Sequence, residues 1–217
     1  MGIKHYINNR PEPSKAIRTI SSILLVGIVG FAIPVARPFF QILTPFVIIL
    51  AVLGALHYHD GDRSFKIYAI STFILLAGFF IEVAGVNTGI IFGTYSYGTV
   101  LGPKVFGTPL IIGLNWLFLI YTSRAIVEYW DTSEWIKVPA AALLVTALDI
   151  VLEPVAINLG FWNWAEVAVP IQNYIAWFVI SVVFFSLFEI FRVRIRNRIS
   201  LALLLTQFGF FIILNFT

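Results

Sequence analysis

The chain alternates long apolar runs with short polar segments. Seven of these runs approach the length of about 20 residues that an α-helix needs to cross the hydrocarbon core of a bilayer. They cover approximately 17–36, 38–56, 66–86, 108–127, 136–157, 171–191 and 199–216. The first run is longer than the apolar region of a typical secretory signal, and no convincing small-residue cleavage site follows it, so we expect a retained helix. The pattern predicts an all-α, polytopic membrane helix bundle of about seven transmembrane helices, forming one integral membrane domain over residues 1–217.

The composition agrees with a membrane protein. Of the 217 residues, 59% are hydrophobic and only 12% are charged, and the mean hydropathy is +0.93. Soluble domains usually have about a quarter of their residues charged. The chain has no cysteine, which excludes disulfides, thiolate metal sites and cysteine nucleophiles.

The basic residues are divided unequally between the two ends of the predicted helices. If the N-terminus is inside, only Arg37 and Lys104 fall on the outer side. The inner segments hold Lys4, Arg10, Lys15, Arg18, Arg63, Lys66, Arg124, Lys137, Arg192, Arg194, Arg196 and Arg198. Because cytoplasmic loops carry an excess of lysine and arginine, this asymmetry predicts N-in, C-out topology. We interpret the run RVRIRNR (192–198) as a topogenic loop near anionic lipid headgroups, so we expect no nucleic-acid partner.

Three acidic residues lie within the apolar runs or close to their ends. Asp149 and Glu153 are one helical turn apart, and Glu82 lies near the end of another run. Since an ionised carboxylate at lipid depth is costly, we expect all three to face the bundle interior. In the predicted topology they lie in the outer half of the bilayer, with the two longest interhelical loops. Glu189 lies at the opposite, inner end beside Arg192, where we expect a structural ion pair.

A short pattern occurs twice along the chain. EVAGVN (82–87) and EPVAIN (153–158) share Glu-x4-Asn, and each is followed by glycine, phenylalanine and an aromatic-x-aromatic pair. Each loop then reaches a proline and a helix that carries asparagine and tryptophan. The matching residues are Tyr95, Tyr97, Asn115 and Trp116 in the first copy, and Trp162, Trp164, Asn173 and Trp177 in the second. We interpret predicted helices 3–4 and 5–6 as a parallel pseudo-repeat around one cavity.

The acids and aromatic residues suit acid catalysis on an alkene. Asp149 and Glu153 share one helix face, and burial of two adjacent carboxyl groups favours the protonated form of at least one. Such an acid can donate a proton, and a second carboxylate can orient water. Aromatic faces can stabilise the resulting carbocation. The candidate aromatic residues are Tyr95, Tyr97, Trp116, Trp162, Trp164 and Trp177. Each group also has a structural alternative, because tryptophan and tyrosine form interfacial belts and a buried acid can simply bond a neighbouring helix.

Three stretches carry a family resemblance. EVAGVNTGIIFGTYSYGTVLGPKVFGTPLIIGLNW (82–116), ALDIVLEPVAINLGFWNW (147–164) and VPIQNYIAWF (169–178) resemble the membrane-integral carotenoid 1,2-hydratase family, which includes bisanhydrobacterioruberin hydratases. The resemblance covers roughly residues 66–192, while the first two helices and the last match only in hydrophobicity and order. It implies a cofactor-independent hydro-lyase that adds water across the terminal C1=C2 double bond of an acyclic ψ end group. The substrate class would be lycopene, γ-carotene or a bacterioruberin precursor, and the product a 1-hydroxy carotenoid.

The resemblance, together with the chemistry of the residues, suggests roles for the candidate side chains. We expect Asp149 to be the general acid and Glu153 or Glu82 to position the water, although the sequence does not rank the three acids. The asparagines that could hold the water and the acids are Asn115, Asn158, Asn163 and Asn173. The aromatic residues would line the pocket for the end group, and we expect no metal and no cofactor. Glycines 78, 85 and 89 could let a rigid polyene approach the backbone or could serve helix packing.

The expected partners are a carotenoid polyene that enters from the lipid, water and membrane lipid. Other enzymes of the carotenoid pathway are candidate protein partners. A C40 polyene is about as long as the ~30 Å hydrocarbon core, so it could lie in a groove between helices. The expected location is a bacterial or archaeal cytoplasmic membrane.

Other functions are weighed against specific residues. A retinal photoreceptor would need a lysine in the last run, 199–216, which contains none. A di-iron hydroxylase would need more histidines than His5, His57 and His59. A carotenoid cyclase would start from the same cation but exclude water, whereas the supply of asparagine favours hydration. A transporter or proton channel would distribute its acids along the whole membrane depth rather than gather them in one half.

Overall fold

The computed structural model describes residues 12–217, so Lys4, His5 and Arg10 lie outside the described residues. Within that range the chain forms seven α-helices, as the hydrophobic pattern predicts. They are α1 (Pro13–Ala32), α2 (Arg37–His57), α3 (Phe65–Thr88), α4 (Ile111–Val127), α5 (Glu134–Asn158), α6 (Ile171–Ile190) and α7 (Ser200–Leu214). Five helices follow the predicted runs closely. Helix α1 begins and ends four residues before the predicted 17–36, and α4 begins at Ile111 rather than near 108 because Thr108–Pro109 pairs as a short strand.

Five of the described helices are long and apolar enough to cross a membrane: α1, α2, α3, α5 and α6. The other two are shorter, with 17 residues in α4 and 15 in α7. At about 1.5 Å per residue, these two helices reach ~23–26 Å, less than the ~30 Å of a typical hydrocarbon core. Large apolar side chains such as Leu25, Phe39 and Phe46 are exposed on α1 and α2. That surface is suited to lipid rather than water, and the chain therefore has the architecture of a helical membrane protein.

Helix α4 forms the centre of the bundle. It packs against α2, α3, α5 and α7, and to a smaller extent against α6. Most of its side chains are buried, and those of Trp116 and Ile120 are fully enclosed. Because its neighbours shield it from lipid, α4 does not itself have to match the thickness of the hydrocarbon core. The helix can therefore present polar side chains to an interior cavity.

One end of the bundle carries short strands, and we call residues 89–110 and 159–170 the aromatic end. Strand β1 (Tyr95–Tyr97) pairs antiparallel with β4 (Trp162–Trp164), while β2 (Lys104–Val105) pairs with β3 (Thr108–Pro109). In the first pair, Tyr95 faces Trp164 and Tyr97 faces Trp162. This ladder joins the loop after α3 to the loop after α5. The sequence predicted loops here and missed the pairing, because strands of two or three residues leave no periodicity to read.

The opposite end, residues 58–64, 128–134 and 190–199, is held by ion pairs, and we call it the basic end. Arg124, which is buried, binds Glu128 at 2.7 Å and also pairs with Glu189. Arg194 contacts the same Glu128 at 2.8 Å. Glu189 is therefore in a structural ion pair, as expected, but its partner is Arg124 rather than the neighbouring Arg192. The guanidinium of Arg124 reaches Glu189 from the adjacent helix α4.

Both ring nitrogens of His59 at the basic end are engaged. Nδ1 lies 2.7 Å from the Tyr121 hydroxyl, and Nε2 lies 2.7 Å from the Asp62 carbonyl oxygen. The Tyr121 hydroxyl also accepts a hydrogen bond from Asn197 at 3.1 Å. These contacts tie α2, α4 and the loop before α7 together, which gives His59 a structural role.

Close contact between α3 and α4 depends on Gly78. A Cβ atom at this position would lie 2.7 Å from both Cβ and Cγ of Trp116. One turn further along is Glu82, the residue that the Trp116 indole binds. At Gly85, a Cβ would meet the Phe92 ring at 2.5 Å, and Gly89 ends α3 in the left-handed conformation with φ of +68°. Gly78 and Gly85 therefore lie in close packing contacts, and Gly89 ends a helix.

We expect Gly78→Ala to destabilise the protein, because the added methyl group displaces the fully buried Trp116 from α3. Overpacking of this kind costs about 1–3 kcal/mol. Gly54→Ala in α2 is the matched control, since a Cβ there meets nothing within 4 Å and alanine favours the helix by up to about 1 kcal/mol. Thermal unfolding in detergent, followed by circular dichroism, measures both variants. Equal midpoints for the two variants would contradict the tight α3–α4 contact.

Candidate active site

Three carboxyl groups meet inside the bundle near its aromatic end. Glu82 comes from α3, whereas Asp149 and Glu153 come from one face of α5. All three are buried, with exposed fractions of 3%, 5% and 2% in that order. The Asn173 amide contacts both Asp149 and Glu153, and Asp149 lines the same cavity as Glu82. The sequence-based prediction that these acids face the interior is therefore confirmed.

Glu82 is surrounded by hydrogen-bond donors. Its Oε2 accepts hydrogen bonds from the hydroxyls of Tyr95 at 2.5 Å and Tyr97 at 2.8 Å. Its Oε1 accepts a third from the Trp116 indole Nε1 at 3.0 Å. Glu82 is therefore the acceptor in three hydrogen bonds.

Glu153 has a similar environment built from tryptophans. The indole Nε1 atoms of Trp162 and Trp164 donate to Oε2 at 2.9 Å and 3.0 Å. On the other oxygen, Oε1, the Asn173 amide makes a long contact of 3.5 Å. Indole nitrogens can only donate, so Glu153 must act as the acceptor in both short bonds.

The β1–β4 ladder explains why Glu82 and Glu153 each accept several hydrogen bonds. Side chains alternate between the two faces of a strand, so the first and third residues of each strand point to the same side. In β1 these are Tyr95 and Tyr97, and in β4 they are Trp162 and Trp164. The rings also contact one another, with centroids 5.0 Å apart for Tyr95 and Trp164 and 5.9 Å apart for Tyr97 and Trp162. One ladder therefore supplies four donors to two carboxyl groups.

The two tyrosines stay protonated in this setting. Burial, together with the charge of the adjacent Glu82 carboxylate, raises the pKa of the Tyr95 and Tyr97 hydroxyls well above the usual value. Both hydroxyls therefore remain hydrogen-bond donors throughout the physiological pH range.

Asp149 is the least constrained of the three acids. Its Oδ2 accepts one hydrogen bond from the Asn173 amide, at 2.8 Å. Among the described residues, none donates to its Oδ1. The side chain also lines a small internal cavity. Asp149 is thus the acid with an oxygen left for a molecule bound in that cavity.

This small cavity, which we call the acid cavity, has a volume of about 40 Å³. A buried water needs roughly 10–15 Å³ measured in this way and two to four polar partners, so the space suffices for two or three waters. The polar and aromatic residues that line it are Glu82, Tyr97, Asn115, Asp149, Trp162, Trp177 and Gln207. The remaining wall is apolar: Ile112, Leu119, Leu148 and Leu152.

A larger apolar groove lies beside the acid cavity. It has a volume of about 430 Å³ and runs between α1, α2, α4, α5 and α7. Its outer rim includes Ile23, Val26 and Val47, which are exposed on the surface suited to lipid. Five residues line both spaces and form the junction between them: Ile112, Asn115, Leu152, Trp162 and Gln207. An apolar molecule in the groove could therefore bring one end to the acids.

The six candidate aromatic residues divide into two groups. Tyr97, Trp162 and Trp177 line the acid cavity, so their rings are available to a bound molecule. Tyr95, Trp116 and Trp164 do not line it; they donate to Glu82 or Glu153, as Tyr97 and Trp162 also do. Trp116 is fully buried and stacks flat on Trp177, with ring centroids 3.9 Å apart and an interplanar angle of 11°.

The four candidate asparagines also separate. Asn173 binds Asp149, and Asn115 lies at the junction between cavity and groove. Asn158 and Asn163 lie on the exposed surface of the aromatic end. Asn163 is the central residue of β4 and therefore points away from the side that carries the tryptophans.

Sequence reasoning missed Gln207 of α7, which lines both the acid cavity and the groove. It is the one residue with an amide side chain in the last apolar run before its final turn. A polar side chain in the middle of a predicted span was the available signal.

The chain matches one family model and is similar in sequence to a curated protein. A family model described as carotenoid biosynthesis protein matches residues 38–217, from the start of α2 through α7. The chain is 28% identical over 167 residues to the bisanhydrobacterioruberin hydratase of Haloarcula japonica, and the alignment covers 70% of this chain and 54% of that protein. The chain thus spans about half the length of this curated relative. No solved structure matches the chain.

Proposed function

The chain belongs to the family of carotenoid biosynthesis proteins, and we propose that it is a carotenoid 1,2-hydratase. The reaction would add water across the terminal C1=C2 double bond of an acyclic ψ end group, as in lycopene, γ-carotene or a bacterioruberin precursor. The observation that carries this proposal is the junction between the two spaces. A groove suited to a polyene opens onto a water-sized cavity that contains Asp149.

The proton would come from Asp149. Three carboxyl groups buried together at one end of the bundle cannot all be ionised at low cost, so at least one carries a proton. The donors around Glu82 and Glu153 favour the charged form of those two residues. Asp149, with a single hydrogen bond and a place on the cavity wall, is the acid best suited to remain neutral and to donate.

The steps need only a proton and a water. The C1=C2 electron pair takes the proton from Asp149 to form a C2–H bond, which leaves a tertiary cation at C1. A water molecule in the acid cavity attacks C1, and its surplus proton returns to a carboxylate. No electrons leave the system, so the chemistry calls for no redox cofactor.

The cation would be stabilised by charge and by aromatic faces. Glu82 lines the cavity together with the rings of Tyr97, Trp162 and Trp177, and in this mechanism it would be ionised. A desolvated cation over an aromatic face gains about 2 kcal/mol. The ordered donors hold these rings and carboxylates in place before the reaction starts, so little reorganisation is needed as charge develops.

The substrate would enter sideways from the lipid. The rim of the groove lies on α1 and α2, where the apolar side chains are exposed. A C40 polyene is about as long as the ~30 Å hydrocarbon core, so its end group could reach the junction while the rest of the molecule extends along these helices.

We also propose that α3–α4 and α5–α6 form a parallel pseudo-repeat. In each half a tryptophan follows a proline by seven positions: Pro109 and Trp116, Pro170 and Trp177. These equivalent tryptophans stack on each other, and the equivalent strands β1 and β4 pair about their central residues. A local two-fold axis along the bundle would produce both contacts.

The proposed orientation is N-in and C-out, with the aromatic end in the outer half of a bacterial or archaeal cytoplasmic membrane. The described arginines and lysines of the inner segments support it, because those of residues 58–66 and 190–199 meet at the basic end. Loops rich in lysine and arginine usually stay in the cytoplasm.

Expression in a bacterium that accumulates lycopene or γ-carotene, grown in oxygen-18 water, tests the reaction. We expect pigments heavier by one water, with the new oxygen drawn from the labelled solvent, and mass spectrometry of the extract measures this. An isomer of unchanged mass would favour a cyclase instead. A hydroxylated product without the label would point to molecular oxygen and overturn hydration.

We expect Asp149→Asn to lower hydration by about 10²-fold or more, because the amide cannot donate a proton to the alkene. Its thermal stability should stay near that of the wild type. Glu82→Gln should lower both activity and stability, since its amide NH₂ would face donors. Pigment analysis and thermal unfolding provide the two measurements.

Asp131→Asn, at an exposed position of the basic end, is the matched control for Asp149→Asn and should keep full activity. Full activity of Asp149→Asn would remove that residue from the role of proton donor. If Glu153→Gln and Glu82→Gln were also fully active, the acid mechanism as a whole would fall.

The orientation can be tested with single cysteines, because the chain has none of its own. Val167→Cys lies at the aromatic end and Asp131→Cys at the basic end, both at exposed positions. A membrane-impermeant maleimide should label Val167→Cys in intact cells, and Asp131→Cys only after permeabilisation. The opposite pattern would reverse the proposed topology.

A further inference from the structure

Helix α7 carries a polar side chain that the mechanism above leaves unused. Gln207 lies in the middle of Ser200–Leu214, between apolar residues that pack into the core, such as Leu203 and Phe211. Its carbonyl oxygen Oε1 is buried and has no hydrogen-bond partner among the described residues. A buried amide oxygen without a donor is costly, so this position calls for a donor that is not part of the described chain.

The surroundings of Gln207 indicate where that donor would be. The residue lines the acid cavity and the apolar groove at once, and so does Asn115 across the junction. The groove wall around this junction is largely apolar, whereas the acid cavity holds room for water beside Asp149. A water molecule in the acid cavity would combine proximity to Gln207 with an O–H group to donate.

We propose that Gln207 is the water-positioning residue of the site, an inference that rests on the proposed hydratase function. Its Oε1 accepts a hydrogen bond from the attacking water at the junction. One O–H bond of that water then points at Gln207, and an oxygen lone pair is left to face C1 of the end group in the groove. When the water adds to C1, its surplus proton passes to a carboxylate of the acid cavity.

This role makes Gln207 act after the proton transfer. Protonation at C2 depends on the acid and leaves the cation at C1 whether or not water is in place. The cation then has two outcomes: capture by water, or loss of a proton from C2 or from a methyl group on C1, which restores an alkene. A residue that holds the water changes the ratio of these outcomes without stopping the first step.

The experiment compares Gln207→Leu with the wild-type chain in deuterated water, with membranes that contain the carotenoid. Mass spectrometry measures two quantities, the 1-hydroxy product and the deuterium incorporated into recovered substrate. In Gln207→Leu we expect the ratio of deuterium exchange to hydration to rise by about tenfold or more, because the cation still forms but its water is misplaced. Gln207→Glu, which keeps an acceptor oxygen at this position, should restore much of the hydration.

Leu205→Val is the matched control, because Leu205 is exposed on the same helix and lines neither the groove nor the acid cavity. It should leave the ratio unchanged. Leucine is apolar and of similar size to glutamine, so Gln207→Leu should unfold at no lower temperature than the wild type.

The outcomes separate the two proposals. If Gln207→Leu has an unchanged ratio, or loses exchange and hydration in equal proportion, Gln207 does not position the water even though the hydratase assignment stands. If the wild-type chain gives no hydroxyl from solvent in the oxygen-18 experiment, the hydratase function and the role of Gln207 are both overturned.

Discussion

A carboxylate inside a helix bundle must obtain its hydrogen bonds from the protein, because the hydrocarbon around the bundle supplies none. In this protein that requirement organises the whole aromatic end. Glu82 and Glu153 are each bound by two side chains of one short strand, and those two strands pair with each other. The loops after α3 and α5 are thereby tied together. Gly78 lets Trp116 approach α3, and the Trp116 indole then supplies the third hydrogen bond to Glu82.

The three acids are consequently unequal. Two of them are enclosed by tyrosine and tryptophan donors, while Asp149 receives one amide hydrogen bond and lies on the wall of a cavity. Such a division of environments is how proteins give neighbouring carboxyl groups different protonation states and different tasks. In the proposed reaction, the enclosed pair would stabilise positive charge and the less constrained acid would move the proton.

The other end of the bundle shows the contrasting use of charge. There, Arg124 is buried among Glu128, Glu134 and Glu189, and these charges bind one another across α4, α5 and α6. Between the two polar ends, the central helix α4 is largely apolar, with Leu117, Phe118, Leu119 and Ile120 all buried. Acids at the aromatic end therefore belong to a local site, while the ionic groups at the basic end hold helices together.

The sequence by itself determined the seven helices and their approximate ends. The length of an apolar run is a local property of the chain, and the thickness of the hydrocarbon core sets the length that a spanning helix needs. It also singled out Glu82, Asp149 and Glu153, since a carboxyl group in such a run has to face the interior. It did not determine which side chains bind each acid. Asn158 and Asn163 were candidates alongside Asn173, yet of these three only Asn173 reaches Asp149.

Tertiary structure decided the hydrogen-bond partners of the acids and the shapes of the cavity and groove, because these features depend on residues far apart in the chain. The β1–β4 register joins positions that no local periodicity connects, and the groove takes its walls from five different helices. Gln207 lies more than 50 residues from Asp149 in sequence and lines the same cavity only because α7 packs against α4 and α5. Apolar length and periodicity can be read from consecutive residues. The hydrogen-bond donors to the acids, the acid cavity and its junction with the groove arise only when the helices pack beside one another.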